Sequence, residues 1–272
     1  MEPVIIWYNY KVYSPGIIHE RMRFVEKNMN SLLPLYGKEK DKLYEYSKEH
    51  NLPYYEMVSL RNIIRIQKEI NSSKIFYLYI NKIKNRFINI SKEIGNNPNE
   101  SKLKIKYFLK STKMPVHFVL KTIDKMPEFK KINTDAINYI YKLQKMIHSM
   151  DIEIKKHSEQ FEHLLEDYIR KNYKIFFRTE IDIKREKDYT VTPDILFDKP
   201  ISIELSGKKY SIRWMDAKNY ILVNVPFIIK SLNKQAEKYN NIFGMGAFVF
   251  HYGFDSSIQI PGTLILDGSF LS

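Results

Sequence analysis

Three charged residues interrupt two otherwise apolar runs. Asp194 lies in "TVTPDILF" (190–197), and Asp216 and Lys218 lie in "RWMDAK" (213–218). Both runs have the composition of buried strands, in which aspartate is disfavoured. Ser206-Gly207 between them predicts a tight turn, and hence an antiparallel hairpin. Counting outward from the turn, Leu205 faces Lys208 and residue 194 falls opposite 217–219. The Asp198-Lys199-Pro200 interruption predicts a bulge that shifts this register. Asp216 and Lys218 are two apart on one strand, so their side chains share a face. Two carboxylates and an ammonium therefore converge. Paired carboxylates on a rigid sheet suit Mg²⁺, with Mn²⁺ as a substitute, and the Ala217 carbonyl is a further candidate ligand. An ion so held polarises a phosphodiester and acidifies a bound water, while Lys218 orients that water or offsets phosphate charge. The competing reading is a buried ion pair of Lys218 with either aspartate.

The elements that must position these residues change character along the chain. Residues 1–150 read mainly as helices, and 151–272 as a mixed α/β segment. "KEKDKLYEYSKEH", a break at Asn51-Leu52-Pro53 and "YYEMVSLRNIIRIQKEI" give helix, break, helix. That pattern is compatible with a DNA-reading helix-turn-helix and equally with any helical hairpin. "GNNPNES" (95–101) reads as a linker, followed by three short helices, the last capped by Asn133 or Thr134. "SEQFEHLLEDYIRKN" is a separate amphipathic helix. "YKIFFRTEIDI" is a first strand carrying Glu180, and the hairpin supplies the second and third. "VPFIIKSLNKQAEKYNNIFG" is a helix ended by Gly244, and "GAFVFHYGF" and "TLILDGS" are the final strands. The order is α-β-β-β-α-β-β, an α+β fold.

The chain has 272 residues and a formal net charge of +13, which points to a polyanionic partner such as nucleic acid. Lys, Asn, Ile and Tyr are all abundant, so AT-rich coding also contributes lysine. Cysteine is absent, which excludes disulfides, zinc fingers, iron–sulfur sites and a cysteine nucleophile. The seven histidines show no HxH or HExxH spacing, and no phosphate-binding glycine pattern occurs. "MEPVIIWYNY" is no signal peptide and "YILVNVPFII" is too short to span a bilayer, so an intracellular, soluble, non-membrane protein is expected.

"FEHLLEDYI", "FFRTEIDI", "TPDILF", "IRWMDAK", "NKQAEKYNNIFGMG" and "FVFHYGF" fall in the order of the PD-(D/E)XK, restriction-endonuclease-like nucleases. The chain resembles most their Thr-Pro-Asp branch, the codanin-interacting nuclease family, with Asp216 where many members have Glu. The resemblance implies an αβββαβ core with a mixed central sheet, a Mg²⁺-dependent, structure-selective DNA endonuclease, and catalytic Asp194, Asp216, Lys218, Glu162 and Gln235. It implies metal ligation by Asp194, Asp216, Ala217 and Glu162, with Glu166 an alternative to Glu162, and Tyr239 beside Gln235. It further implies a codanin-type protein partner and, in a eukaryote, a nuclear or cytoplasmic location. One departure stands out: members follow the strand lysine with Phe-Gly-Asp, whereas this chain reads "NYILVN". RNA as substrate, and a non-catalytic DNA-binding or scaffold role on the same fold, are the alternatives.

Overall fold

The computed structural model describes residues 4–95 and 97–271. The chain begins with β1 (Val4–Trp7), β2 (Val12–Tyr13) and α1 (Pro15–Asn28). Helices α2 (Lys38–Glu49), α3 (Tyr54–Glu93), α4 (Pro98–Thr112), α5 (Val116–Ile123), α6 (Pro127–Lys131) and α7 (Thr134–Tyr173) follow. The remainder is β3 (Phe177–Thr179), α8 (Glu180–Glu186), β4 (Ile195–Leu205), β5 (Lys208–Lys218), α9 (Pro226–Phe243), β6 (Gly246–Phe250), β7 (Phe254–Asp255) and β8 (Thr263–Asp267). The expected α+β class, with helices in the N-terminal half and a mixed sheet after them, is what forms. Among the described residues no helix is long and apolar enough to cross a membrane.

The chain divides into two compact units. Met22–Glu153 forms a helical unit, and the segments up to Arg21 and from Ile154 onward form a sheet unit. The sheet unit takes in the segment up to Arg21 because that segment opens with strands, and β1 joins the sheet. In "VIIW" Ile5 and Trp7 are buried and Ile6 is exposed, the period-two signature of a half-buried strand. β1 pairs in parallel with the end of β4, from Val4↔Ser202 to Trp7↔Leu205.

The helical unit confirms the helix–break–helix of α2 and α3. Asn51 adopts a left-handed φ of 50°, and the Leu52 amide closes back onto the Ser47 carbonyl at 2.8 Å, a helix-ending turn that Pro53 makes final. Asn97 caps α4, accepting from the amides of Asn99 and Glu100, while Asn133 Oδ1 accepts from Ala136 at 2.8 Å at the start of α7. Its core gathers Phe87, Phe108, Val119, Ile123 and Ile140, all buried. Three of its cations serve the fold. Arg61 is fully buried and donates to the carbonyls of Leu33 and Asn30; Arg65 is buried and pairs with Asp151 and Glu69; Lys68 donates to Ser31 Oγ. Burial lowers the Arg61 guanidinium to about 10.

In the sheet unit the strand order is β1-β4-β5-β6-β8, with β3 also against β4. The β4–β5 pair is antiparallel, and β5–β6 and β6–β8 are parallel. Two expectations need correction. The helix predicted over 134–150 and the separate one over 158–172 are one helix, α7, because no glycine or proline interrupts the intervening "DIEIKKH". The predicted first strand stops at Thr179. Thr179 Oγ1 accepts from the Asp182 amide while the Asp182 carboxylate accepts from the Thr179 amide, a capping box that starts α8. Glu180 is thus a helical residue in the first turn of α8, not a strand residue.

Candidate active site

The hairpin brings the charged residues together. Ser206, at a left-handed φ of 51°, and Gly207 make the turn, with Leu205↔Lys208 as its first pair. A bulge between Leu196 and Ile201 shifts the register so that Ile195 pairs with Met215. Asp194 therefore stands level with Asp216, and its Oδ2 accepts the Ala217 amide at 2.7 Å. The bulge expected at Lys199-Pro200 supplies this alignment; the unbroken count would have set Asp194 opposite residue 219.

Asp216 is almost wholly buried, and the described residues engage both its oxygens. Oδ1 pairs with the Lys218 ammonium. Oδ2 accepts from Gln235 Nε2 at 2.9 Å and from the Tyr239 hydroxyl at 3.3 Å. Gln235 and Tyr239 are one turn apart on α9, so a single helix face delivers both. Gln235 Nε2 also lies 2.9 Å from the Tyr239 hydroxyl, which reaches the Thr192 carbonyl at 3.2 Å. The Trp214 ring packs edge-on against Tyr239 with centroids 5.0 Å apart.

The electrostatics follow from burying like charges together. Burial, then the adjacent Asp216 charge, pushes the Asp194 carboxyl up to about 8, against the opposing Ala217 hydrogen bond. Burial disfavours the Lys218 charge, but the charge and hydrogen bond of Asp216, together with Tyr220 and Asp194, outweigh it and hold the ammonium above its ordinary range. Burial and the Asp216 carboxylate also raise the Tyr239 phenol. Glu162 on α7 is raised by burial and then by the charges of Glu180 and Asp216, so it belongs to the same negative field. Glu166 does not: its carboxylate is 3.6 Å from Arg170 and 3.9 Å from His163.

Several neighbours carried no spacing signal in the sequence. The His251 amide donates to the Lys218 carbonyl at 3.0 Å, its Nδ1 lies 2.7 Å from Asn219 Oδ1, and its ring stacks on Phe161 at 4.2 Å. Burial, with Lys11 and His157 nearby, lowers that imidazole to about 4, which keeps it neutral at ordinary pH. These contacts join residues far apart in sequence, so only the parallel β5–β6 pairing could have located His251.

This geometry accompanies a family pattern. The family described as "Protein of unknown function TPD sequence-motif" matches residues 128–269. The chain belongs to the TPD sequence-motif family. Another protein, L539 of Acanthamoeba polyphaga mimivirus, itself uncharacterized, is 46% identical over 268 residues, covering 98% of this chain and 96% of the viral protein. Among solved structures, the pre-specific restriction endonuclease BsaWI in complex with DNA is similar over 72% of this chain and 90% of its own. The identity there is 13% and the TM-score 0.29, too low for the likeness to bear on function. The Thr-Pro-Asp stretch of this TPD protein, residues 192–194, is the segment that places Asp194 beside Asp216.

Proposed function

We propose that the protein is a metal-dependent deoxyribonuclease of the PD-(D/E)XK, restriction-endonuclease-like superfamily, acting as a structure-selective endonuclease. The observation that carries this reading is the convergence of Asp194, Asp216 and Lys218 on one hairpin, with Gln235 delivered by α9. The donor set fits a hard cation. Asp194, Asp216, Glu162 and the Ala217 carbonyl are all oxygen donors, and burial, with the Asp216 and Glu162 charges added, lifts Asp194 to about 8. Among the described residues no three acidic or histidine side chains form a ready metal cluster; Asp194 and Asp216 would hold the ion, with Glu162 and the Ala217 carbonyl as further candidates. A bound Mg²⁺ or Mn²⁺ supplies a Lewis acid for the phosphodiester and a more acidic water.

The chain's own groups do the rest. Gln235 and Tyr239 hold one Asp216 oxygen and so set its rotamer. Lys218 remains an ammonium and offsets charge on the scissile phosphate. The formal charge of +13 supports DNA as the partner. Selectivity for DNA structure, a codanin-type partner and a nuclear or cytoplasmic location rest on the family likeness, not on these residues. Whether α2 and α3 read DNA as a helix-turn-helix likewise rests on their sequence pattern.

A second reading has its own observation in favour. Asp216 is already satisfied by Lys218, Gln235 and Tyr239, as it would be in a non-catalytic DNA-binding or scaffold protein. One experiment separates the two. Purified protein is incubated with labelled duplex, flap, junction and single-stranded DNA, and with RNA, in Mg²⁺, Mn²⁺ or EDTA. The nuclease reading expects metal-dependent scission that EDTA stops. Tight binding with every substrate intact in either metal establishes the second reading.

A further inference from the structure

Thr192 lies in the stretch just before β4 and contacts two further elements, α8 and α9. Its hydroxyl donates to Glu180 Oε1 at 3.2 Å, in the first turn of α8, where Lys184 Nζ also meets Glu180 at 2.6 Å. Its carbonyl accepts the Tyr239 hydroxyl from α9 at 3.2 Å. That hydroxyl lies 3.3 Å from Asp216 Oδ2 and beside Gln235. Two residues on, Asp194 takes the Ala217 amide of β5. The buried Pro193 stands between them. Its ring fixes its own φ and disfavours helical backbone at Thr192, which narrows the conformations available between the Thr192 carbonyl and the Asp194 carboxylate.

We infer that the Thr-Pro-Asp segment is a rigid bracket in which Thr192 is a positioning residue, tying Glu180 and Tyr239 to the Asp194–Asp216 pair. The inference rests on the nuclease reading above. Thr192 touches no reacting atom. It acts through Glu180, whose charge bears on Glu162, and through Tyr239, which bears on Asp216. Thr192→Val removes the hydroxyl and keeps the shape; Thr192→Ser restores the hydroxyl. Glu180→Ala removes the same bond from its other end.

The test measures kcat, KM for DNA and the urea midpoint for wild type, T192V, T192S, E180A and the T192V/E180A double variant. Loss of a partner in the outer layer of a site costs on the order of tenfold, so T192V should lower kcat by about that factor with KM unchanged. T192S should return kcat to within about twofold of wild type, and the double variant should be no slower than either single one, as groups joined by one bond behave. The urea midpoints of T192V and E180A should likewise be non-additive. Wild-type kcat in T192V, no rescue by serine, or additive midpoints with an active wild type overturns the bracket and leaves the nuclease reading standing. A wild type that cleaves nothing, with non-additive midpoints, sinks the nuclease reading and reduces the bond to a structural one.

Discussion

At the residue scale, the site is a balance between one ammonium and several carboxylates. On the proposed nuclease reading, losing a metal-ligating carboxylate or the adjacent charge would take away transition-state stabilisation, on the order of a thousandfold in rate. Asp194→Asn, Asp216→Asn and Lys218→Ala should each reduce DNA cleavage by at least that order while binding in EDTA is retained; wild-type turnover by either aspartate variant would falsify the assignment. The raised Asp194 carboxyl has a thermodynamic consequence as well. Its folded-state value of about 8 lies above the unfolded value, so the native state holds a proton that the unfolded chain releases. The associated stability is present in full below the unfolded value and is lost as pH rises toward 8. Asp194→Asn removes this dependence. In metal-free buffer the urea midpoint of the variant should therefore gain on wild type from pH 5 to pH 8, and a constant difference across that range contradicts the burial described.

At the element scale, the α9–β5–β6 contact holds Gln235 and Tyr239 over the hairpin. Trp214 anchors it: its indole NH donates to the Gly244 carbonyl at 3.0 Å, and its ring packs against Tyr239 and Phe248. Gly246 lies against that ring so closely that any Cβ would overlap it. Gly246→Ala must push Trp214 or β6 aside, and overpacking of this kind costs about 1–3 kcal/mol. Urea denaturation followed by tryptophan fluorescence should show that loss, and an unchanged midpoint would mean that Trp214 repacks freely.

At the scale of the whole molecule, the sheet unit draws on both ends of the chain. A fragment of residues 151–272 lacks β1 and with it the buried Ile5 and Trp7. The Trp7 indole also donates to the Asp267 carbonyl, and the Asp267 carboxylate accepts the amides of Tyr10 and Lys11 at 2.9 Å. That fragment should aggregate or give a non-cooperative melt by circular dichroism, and a peptide of residues 1–14 added in trans should restore cooperativity. The helical unit's charge divides in the same physical way. Arg61 and Arg65 are committed to its interior, whereas Lys82, Lys110, Lys121 and Lys125 are exposed. If the exposed lysines meet DNA phosphates, each one replaced by glutamine should reduce the slope of log affinity against log salt by about 0.9. A slope indifferent to all four replacements assigns DNA binding elsewhere.

Local chemistry determined much of this protein. Alternating apolar residues defined the β4–β5 hairpin, Ser206-Gly207 set its turn, and Lys199-Pro200 marked the bulge, because strand period, turn conformation and proline's missing donor are properties of short segments. The same local rules put Gln235 and Tyr239 on one face of α9. Other features were local but masked by a stronger pattern: the apolar run through "FFRTEIDI" hid the Thr179–Asp182 capping box that turns Glu180 into a helical residue. Only the tertiary structure decided the rest. β1 joins a strand nearly two hundred residues away. That Glu162 feels the Asp216 charge while Glu166 lies beside Arg170 follows from how α7 packs, and Arg61 is buried with the Asn30 and Leu33 carbonyls as acceptors. Such pairings join residues distant in sequence, where no period or spacing carries information, and burial alone selects among them.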